Sequence, residues 1–375
     1  MSKHGPLKLP FDKFRATEIV YPGKQSFEYQ LIPIAPRFED HLNAEQFFYQ
    51  IQKNRRGYFS FLVFAVLFFV TLFAELIAGE KPLIMRFEGK FYIPIFQEIS
   101  EKKLGGIFET EADFRDPEVQ ILVEKNGWII FPPIKFSYDT INYKINTPAP
   151  SKPTAENLFG TDDQGRDVLA RVIYGIRISL IFGLILTIFS AALGIFLGAI
   201  QGYFGGLTDL LLQRFMEIWS SMPVLFLLII LSSIIEPNFF ALLGLMLLFS
   251  WMAMVSYVRA EFLRLRNFDF VRASRALGAS NLRIIFHHIL PNASPIIIAN
   301  LPFLLAGSIT TLTSLDFLGL GLPVGSPSLG ELLSQGKNNL NAYWLGIAGF
   351  VTITIILTLL VFIGESLRDA FDTRK

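Results

Sequence analysis

The sequence predicts an all-α polytopic membrane protein with six transmembrane helices and a small, β-rich extracytoplasmic domain inserted after the first helix. Three observations lead to this fold class. Of the 375 residues, 52% are hydrophobic and only 17% are charged, whereas soluble proteins carry about 25% charged residues. The mean hydropathy is +0.46. The apolar residues also gather in runs of about 20, the length that a helix needs to cross a bilayer.

The composition excludes several classes of function. A net charge of +1 gives no general attraction to nucleic acid. The absence of Cys removes disulfides, thiolate chemistry and thiolate zinc sites. With only four His in the chain, histidine-based catalysis and metal binding have few places to occur. We therefore expect no catalytic residue and no metal site.

The first apolar run covers residues 57–78 and follows the basic residues Lys53, Arg55 and Arg56. A mixed polar segment, residues 1–56, precedes it, so the run differs from a cleavable signal peptide, which stands at the N-terminus itself. The basic flank predicts an uncleaved anchor whose N-terminal side is cytoplasmic.

Residues 79–157 form a polar stretch, rich in Pro and aromatic residues, that we interpret as an inserted periplasmic domain. It contains no His and no Cys, so the common nucleophile–base pairs and zinc sites are absent. Its acidic residues, such as Glu109, Glu111 and Asp113, are more typical of a solvated loop than of an active site.

Five further apolar runs lie in the predicted core, residues 158–375: they are 176–200, 210–235, 239–258, 295–315 and 345–363. The run at 210–235 is interrupted, because it begins with Arg214 and Glu217 and contains Pro223. The total number of spans is therefore five or six.

Charge asymmetry orients the spans. Six arginines lie between the fourth and fifth spans: Arg259, Arg264, Arg266, Arg272, Arg275 and Arg283. The positive-inside rule places this loop, and both termini, in the cytoplasm. Three arginines fall on the outer side instead, with three aspartates near them to offset their charge: Arg166, Arg171 and Arg177, with Asp162, Asp163 and Asp167.

Small and polar residues within the spans suggest packing surfaces and a path. Gly194, Gly198 and Gly202 lie four residues apart on one helical face, which favours close helix packing. The candidates for a translocation path are the polar residues at membrane depth: Glu217, Thr310, Thr311, Ser314 and Asp316. A simpler interpretation stays open, in which Glu217 pairs with Arg214 and the hydroxyls bond to helix carbonyls.

The cytoplasmic loop, residues 259–292, contains a short helix–turn–helix pattern. Asn267 or Asp269 can cap the first helix, and Gly278 suits the left-handed residue after it. Ser280 can cap a second helix, which Pro291 is expected to stop. Flanking spans bar such an element from a DNA groove, so its small residues and arginines favour docking to another protein. A merely basic loop at the membrane surface is the alternative.

This element resembles the EAA loop of ABC importer permeases, whose pattern is Glu-Ala-Ala, a Gly four residues later and a closing Leu-Pro. The sequence supplies Ala273, Gly278, Leu290 and Pro291, with Arg272 in place of the Glu and Ser274 in place of the second Ala. By resemblance, the residues that couple to the ATPase are Arg272, Ala273, Ser274, Ala276, Leu277, Gly278, Leu290 and Pro291.

Further segments resemble dipeptide and oligopeptide permeases, notably "FGTDDQGRDVLARVIYGIRISL" at 159–180 and "SLDFLGLGLPVGSPSLGELL" at 314–333. The insertion, with "NGWIIFPPIKFS", is similar to the permease subunit of microcin C and peptide importers of the Yej type. The resemblance implies a type I ABC importer permease in the inner membrane.

The resemblance also implies the partners. They are a second related permease, two cytoplasmic ATPases and a periplasmic peptide-binding protein. We expect the inserted domain to contact either the binding protein or the partner permease. None of the three Gly-Lys pairs in the chain precedes a Ser or Thr, so a Walker A motif is absent. ATP and Mg would therefore be bound by the ATPases. The alternative is an ion-coupled secondary transporter or channel.

Overall fold

The structure is a computed structural model that describes residues 14–17, 30–33, 54–143, 145, 147–234 and 238–371. It divides into two compact units, Met1–Arg55 and Arg56–Lys375. In the first unit, strands β1 (Phe14–Thr17) and β2 (Gln30–Pro33) pair antiparallel. Most of the predicted cytoplasmic segment, residues 1–56, lies outside the described residues, as does the end of the tail from residue 372.

The described helices follow one another along the chain as eleven elements. They are α1 (Arg55–Leu72), α2 (Ala74–Ile77), α3 (Pro117–Asn126), α4 (Val168–Phe204), α5 (Gly206–Ser220), α6 (Val224–Ile234), α7 (Phe239–Leu265), α8 (Asp269–Ala276), α9 (Asn281–Phe317), α10 (Leu329–Asn338) and α11 (Tyr343–Phe371). Among the described residues, α1, α4, α7, α9 and α11 are long and apolar enough to span a membrane.

The interrupted apolar run forms a bent pair of helices. Together α5 and α6 also meet the criterion for a span, but they are bent by 59° where they meet. Pro223 lies at this break, between the end of α5 and the start of α6, and a proline cannot donate the next helix hydrogen bond. The count of five spans, or six with this pair, agrees with the prediction.

The inserted segment contains the predicted sheet, built from β3 (Ile84–Phe87), β4 (Lys90–Tyr92) and β5 (Gly127–Ile130). The strands are antiparallel in the order β4-β3-β5. One face of the sheet buries Met85 and Phe87 in a cluster that includes residues of α3. The opposite face is exposed, and we call it the outer sheet face: Ile84, Arg86, Phe91, Trp128 and Ile130.

The inserted segment is attached to the first turns of α4. The Tyr174 hydroxyl donates a hydrogen bond of 2.8 Å to the carbonyl of Ala78, at the end of α2. Ala78 also forms an isolated parallel bridge with Ile134. Ile134 and Tyr138 of the inserted segment pack against the buried cluster of Ala74, Ala78 and Tyr174, so the inserted segment packs directly on the membrane helices.

The contact between α4 and α7 holds the centre of the helical bundle together. A Cβ atom at Gly194 would lie 2.6 Å from Met254 Cβ, and one at Gly198 would lie 2.8 Å from Val258 Cβ. Both distances are shorter than any stable carbon–carbon contact. The structure therefore places the glycine face of α4 directly against α7, where any larger side chain would force the helices apart.

We expect Gly198→Ala to destabilise the protein. The added methyl group would also lie 2.9 Å from the carbonyl oxygen of Val255, and overpacking of this kind costs about 1–3 kcal/mol. Thermal unfolding of the detergent-solubilised chain should show a lower midpoint.

Gly244→Ala in α7 is the matched control, because a Cβ atom there meets nothing within 4 Å. An equal loss of stability in the two variants would show that the cost comes from the helix backbone and not from the contact between α4 and α7.

Candidate functional site

Helix α8 begins the element that the sequence places in the cytoplasm, and its N-terminus differs from the prediction. The residue that precedes it is Phe268, which has no side-chain oxygen to cap the helix. Asn267 instead donates from Nδ2 to the carbonyl of Leu263, 3.2 Å away in α7. The prediction that Asn267 or Asp269 caps this helix is therefore wrong. The first amide groups of α8 bond to the Phe268 carbonyl, because α8 follows α7 after only a short turn.

The turn after α8 follows the prediction. Gly278 has a φ of +82°, a left-handed conformation that costs other residues about 1–2 kcal/mol. The hydroxyl of Ser280 then accepts a hydrogen bond of 3.4 Å from the amide of Arg283 and caps α9. These two residues fix the angle at which the second helix leaves the turn.

The second helix does not stop at Pro291. α9 runs without interruption from Asn281 to Phe317, and its segment Ile284–Ile289 is π-helical. Pro291 lies in the first turn after this segment. The change in hydrogen-bond register leaves amide groups without α-helical partners there, so the missing N–H of proline costs little. We call α8 and the start of α9 together the coupling element. Its second helix and the fifth span are thus one continuous helix.

The π-helical segment also changes which side chains lie together. The sequence pattern places Leu282, Ile285, Phe286 and Ile289 on one face. In the structure Ile285 and Ile289 are buried, whereas Leu282 and Phe286 are 69% and 51% exposed. The four residues therefore do not share one environment, which agrees with the wider turn of a π-helix.

The exposed apolar residues of α8 and α9 define what we call the coupling surface. Its largest members are Leu277, which is 88% exposed, together with Leu282 and Phe286. Small exposed residues of the same element complete it: Ala273, Ala276 and Gly278. Exposed arginines accompany them, namely Arg264, Arg272, Arg275 and Arg283. An apolar patch with a charged rim is typical of a protein-docking site.

The remaining residues predicted to couple are less exposed or lie away from the tip. Ser274 is half-buried, and its hydroxyl donates to the Phe270 carbonyl at 2.8 Å. Leu290 is half-buried and Pro291 is exposed, in the part of α9 that leads towards the membrane. The structure therefore places Leu277 and Gly278 at the tip, with Leu290 and Pro291 at the base.

The coupling element is anchored on the neighbouring helices α4 and α7. The hydroxyl of Tyr203, in the last turn of α4, donates 2.7 Å to Oδ1 of Asn281. Arg275 lies with its guanidinium 5.8 Å from the centre of the Tyr203 ring. Val271 of α8 is fully buried in the same cluster as Phe262 of α7. The helices that carry the coupling surface therefore pack against both α4 and α7.

The candidate path residues of α9 share an exposed face. Thr310, Thr311 and Ser314 are exposed, and each hydroxyl donates to the carbonyl four residues earlier, at 2.8, 2.9 and 2.8 Å respectively. This local bonding satisfies the hydroxyl donor without a partner helix. This face of α9 therefore presents small side chains with polar oxygen atoms at its surface.

Asp316 and Glu217 are arranged differently from these hydroxyls. Asp316 is half-buried and accepts hydrogen bonds from the Ser328 hydroxyl at 2.5 Å and from the Leu322 amide at 2.8 Å. It holds the loop after α9 and does not lie on the exposed face. Glu217 forms an ion pair with Arg214 one turn earlier in α5, and both side chains are exposed.

Comparison with known proteins agrees with this geometry. Residues 194–375 match a family model described as binding-protein-dependent transport system inner membrane component. The inner membrane ABC transporter permease protein YejE of Escherichia coli (strain K12) is 55% identical over 326 residues, which cover 87% of this chain and 96% of that protein. This chain belongs to that family of permeases.

Two further relatives support the assignment. The peptidoglycan transport system permease protein YejE of Agrobacterium fabrum is 54% identical over 346 residues, 86% of this chain and 91% of the relative. The oligopeptide transport system permease protein OppC of Lactococcus lactis subsp. lactis is 35% identical over 226 residues, 59% of this chain and 77% of the relative. The expected membership of the ABC importer permeases is confirmed, and with it the type I permease fold and the role as a transport subunit of the inner membrane.

The structure of the permease also contains a buried ionic cluster that sequence reasoning missed. Arg166 lies 2.6 Å from Asp162, and Arg171 lies 2.8 Å from Glu331. The side chains of Arg171 and Asp162 are fully buried. The sequence showed only that the outer arginines are offset by nearby aspartates, because Glu331 lies 160 positions away from Arg171.

The same region caps α4. Asp167 precedes the helix and accepts from the Ala170 amide at 2.7 Å and from Asn157 Nδ2 at 2.7 Å. Burial raises the pKa of the Asp167 carboxyl above its ordinary value, and the hydrogen bonds it accepts oppose that shift. The segment "TDDQGRD" therefore forms a folded cap on the N-terminal end of α4.

We expect Gly278→Ala to weaken the docking of the ATPase. The substitution meets no atom within 4 Å, so its effect comes from backbone strain of about 1–2 kcal/mol. The strained turn would relax in the free permease and docking would have to restore it. Because 1.4 kcal/mol corresponds to a factor of ten, pull-down of the ATPase by the permease should fall by about that factor.

Gly105→Ala is the control, since Gly105 has a φ of +91° and open space around it, but lies in the inserted segment. If both variants retained the ATPase equally, the turn at Gly278 would have no part in docking.

Proposed function

We propose that this chain is one of two permease subunits of an ATP-driven importer of peptides, including microcin C-like cargo. The observation that carries the proposal is the coupling surface, an exposed apolar patch with an arginine rim on a helix that continues into a membrane span. The relatives named for oligopeptide and peptidoglycan transport support peptides or peptide-containing cargo. Such molecules share a peptide backbone, which a polar path can bind by hydrogen bonds.

The partners follow from this role. Two cytoplasmic ATPases dock on the coupling surfaces of this permease and of a second, related permease, and they bind the ATP and Mg. A periplasmic binding protein delivers the peptide. This chain itself binds no cofactor and no metal, and both of its termini lie in the cytoplasm.

The translocation path lies between the two permeases. The exposed face of α9 with Thr310, Thr311 and Ser314 supports this proposal, because a polar face in a membrane helix normally meets protein or a water-filled cavity and not lipid. The exposed ion pair between Arg214 and Glu217 lies on α5, the first helix of the bent pair, and would line the edge of the same path.

Import proceeds by alternating access. When ATP binding closes the two ATPases, the coupling elements move together, and the spans continuous with them change which side of the path is open. The uninterrupted helix α9 supports this mechanism, because it joins the coupling surface to the polar face of the path without a flexible loop.

We expect Leu282→Asp to abolish ATP-driven peptide uptake. A carboxylate at this exposed apolar position would be desolvated on docking, so the ATPases should not copurify with the permease. Uptake of a labelled peptide is measured in proteoliposomes with the binding protein present.

The matched control is Leu340→Asp, an exposed leucine near the start of α11, at the far end of the bundle from the coupling surface. It should retain ATPase association. Uptake that continues without ATP and collapses with an ion gradient would instead support an ion-coupled transporter.

We also propose that the inserted domain contacts the binding protein or the second permease. The outer sheet face supports this, because Phe91 and Trp128 are exposed with their ring centres 6.2 Å apart. Exposed aromatic pairs are typical of binding surfaces.

We therefore expect Phe91→Ser with Trp128→Ser to reduce peptide uptake by about ten-fold or more, as at other aromatic contacts. ATPase association should be unchanged, because the coupling surface is not altered. Ile121→Ser, an exposed residue of α3, is the control. Unchanged uptake in the double variant would contradict a docking role for this face.

A further inference from the structure

We propose that α4 acts as a lever that transmits movement from the coupling surface to the outer side of the permease. Tyr203 and Arg171 are the positioning residues at its two ends. The segment moved at the outer end is residues 318–338, which we call the outer hairpin: the loop after α9 together with α10. The inference rests on the proposed function, because it concerns how ATP-driven closure reaches the opposite end of the bundle.

The lever is a single helix of 37 residues, with no proline within it. At about 1.5 Å per residue it is about 55 Å long, enough to cross the membrane and project beyond it. Its glycine face packs against α7 over several turns, so the helix is supported along its length. A helix supported in this way moves as one body and does not bend independently at each end.

The inner end of the lever is held by the coupling element itself. Tyr203 is 5% exposed, and its hydroxyl donates to Asn281 in the first turn of α9 at 2.7 Å. Its hydroxyl also accepts from Arg275 of α8 at 3.4 Å. Tyr203 therefore contacts both helices that carry the coupling surface, and a displacement of that surface acts directly on the end of α4.

The outer end is held by the ionic cluster. Arg171, in the first turn of α4, donates to Glu331 at 2.8 Å and to the Ser326 carbonyl at 2.9 Å. Both acceptors belong to the outer hairpin. Arg171 is fully buried and the Glu331 side chain is 21% exposed, so water has little access to this pair. Separating a largely buried ion pair is unfavourable, so the pair ties the hairpin to α4 in addition to the packing of α10 on α9 and α11.

A neighbouring ion pair on the same helix provides the matched control. Arg177 of α4 lies 2.7 Å from Glu75, but this pair is partly exposed and leads to α2, away from the outer hairpin. Arg177→Gln removes one ion pair of α4, whereas Glu331→Gln removes the ion pair of Arg171 in α4 and also the longer pair of 3.3 Å with Arg166. If α4 acts as a lever, transport should fall only when the pair that contacts the outer hairpin, Arg171–Glu331, is removed.

The experiment uses the complete importer in proteoliposomes, with Tyr203→Phe, Glu331→Gln, the double variant and Arg177→Gln. The chain contains no Cys, so Val324→Cys, at a residue that is 94% exposed in the outer hairpin, can carry a single fluorescent label. The measurements are peptide imported per ATP hydrolysed, ATPase association, and the change in label emission on ATP binding.

We expect Tyr203→Phe and Glu331→Gln each to lower the peptide imported per ATP by about ten-fold, because the first removes a partly buried hydrogen bond and the second a largely buried ion pair. Each should reduce the label response, while ATPase association is retained. The double variant should be no worse than either single variant, because both interrupt the same lever. Arg177→Gln should behave as the unmodified importer.

The inference is overturned if the two effects multiply, if peptide per ATP is unchanged, or if Arg177→Gln is equally impaired. Loss of ATPase association in parallel with the loss of transport would show a merely structural role. If the unmodified importer takes up no peptide, the proposed function is contradicted. The ATP-dependent change in label emission would still show whether the outer hairpin moves, independently of peptide uptake.

Discussion

The close contact between α4 and α7 is the constraint on which the rest of the permease depends. In lipid, burying apolar side chains against one another gains little, because the surrounding tails are equally apolar. Association must come from close packing, and Gly194, Gly198 and Gly202 allow it by removing every side chain from one face of α4. The position of α4 then fixes the coupling element at one end and the ionic cluster at the other.

Charged groups are concentrated at the two ends of this packed pair. At the inner end, arginines surround an exposed apolar surface that needs a protein partner. At the outer end, Arg166 and Arg171 are buried against carboxylates of the same chain. The charged groups therefore have different roles at the two ends. Exposed arginines are typical of surfaces that bind another protein, whereas buried ion pairs hold distant segments of the chain together.

The sequence predicted features that are set by local pattern. The spans followed from apolar length, the turn at Gly278 from backbone freedom, and the sheet from composition. It failed where the outcome depends on tertiary structure or on hydrogen-bond register. Pro291 was expected to end a helix, and only the π-helical segment before it explains why the helix continues. The pairing of Arg171 with Glu331 joins residues far apart in the chain, which one sequence without relatives cannot show.

The exposure of Leu277, Leu282 and Phe286 also has a consequence for biogenesis. In the proposed importer, a newly inserted permease presents these apolar side chains to water until its ATPase binds. Uncovered patches of this kind favour self-association and are exposed to cellular quality control. If the coupling surface docks an ATPase as proposed, the survival of this subunit in the cell would therefore depend on the supply of its partner.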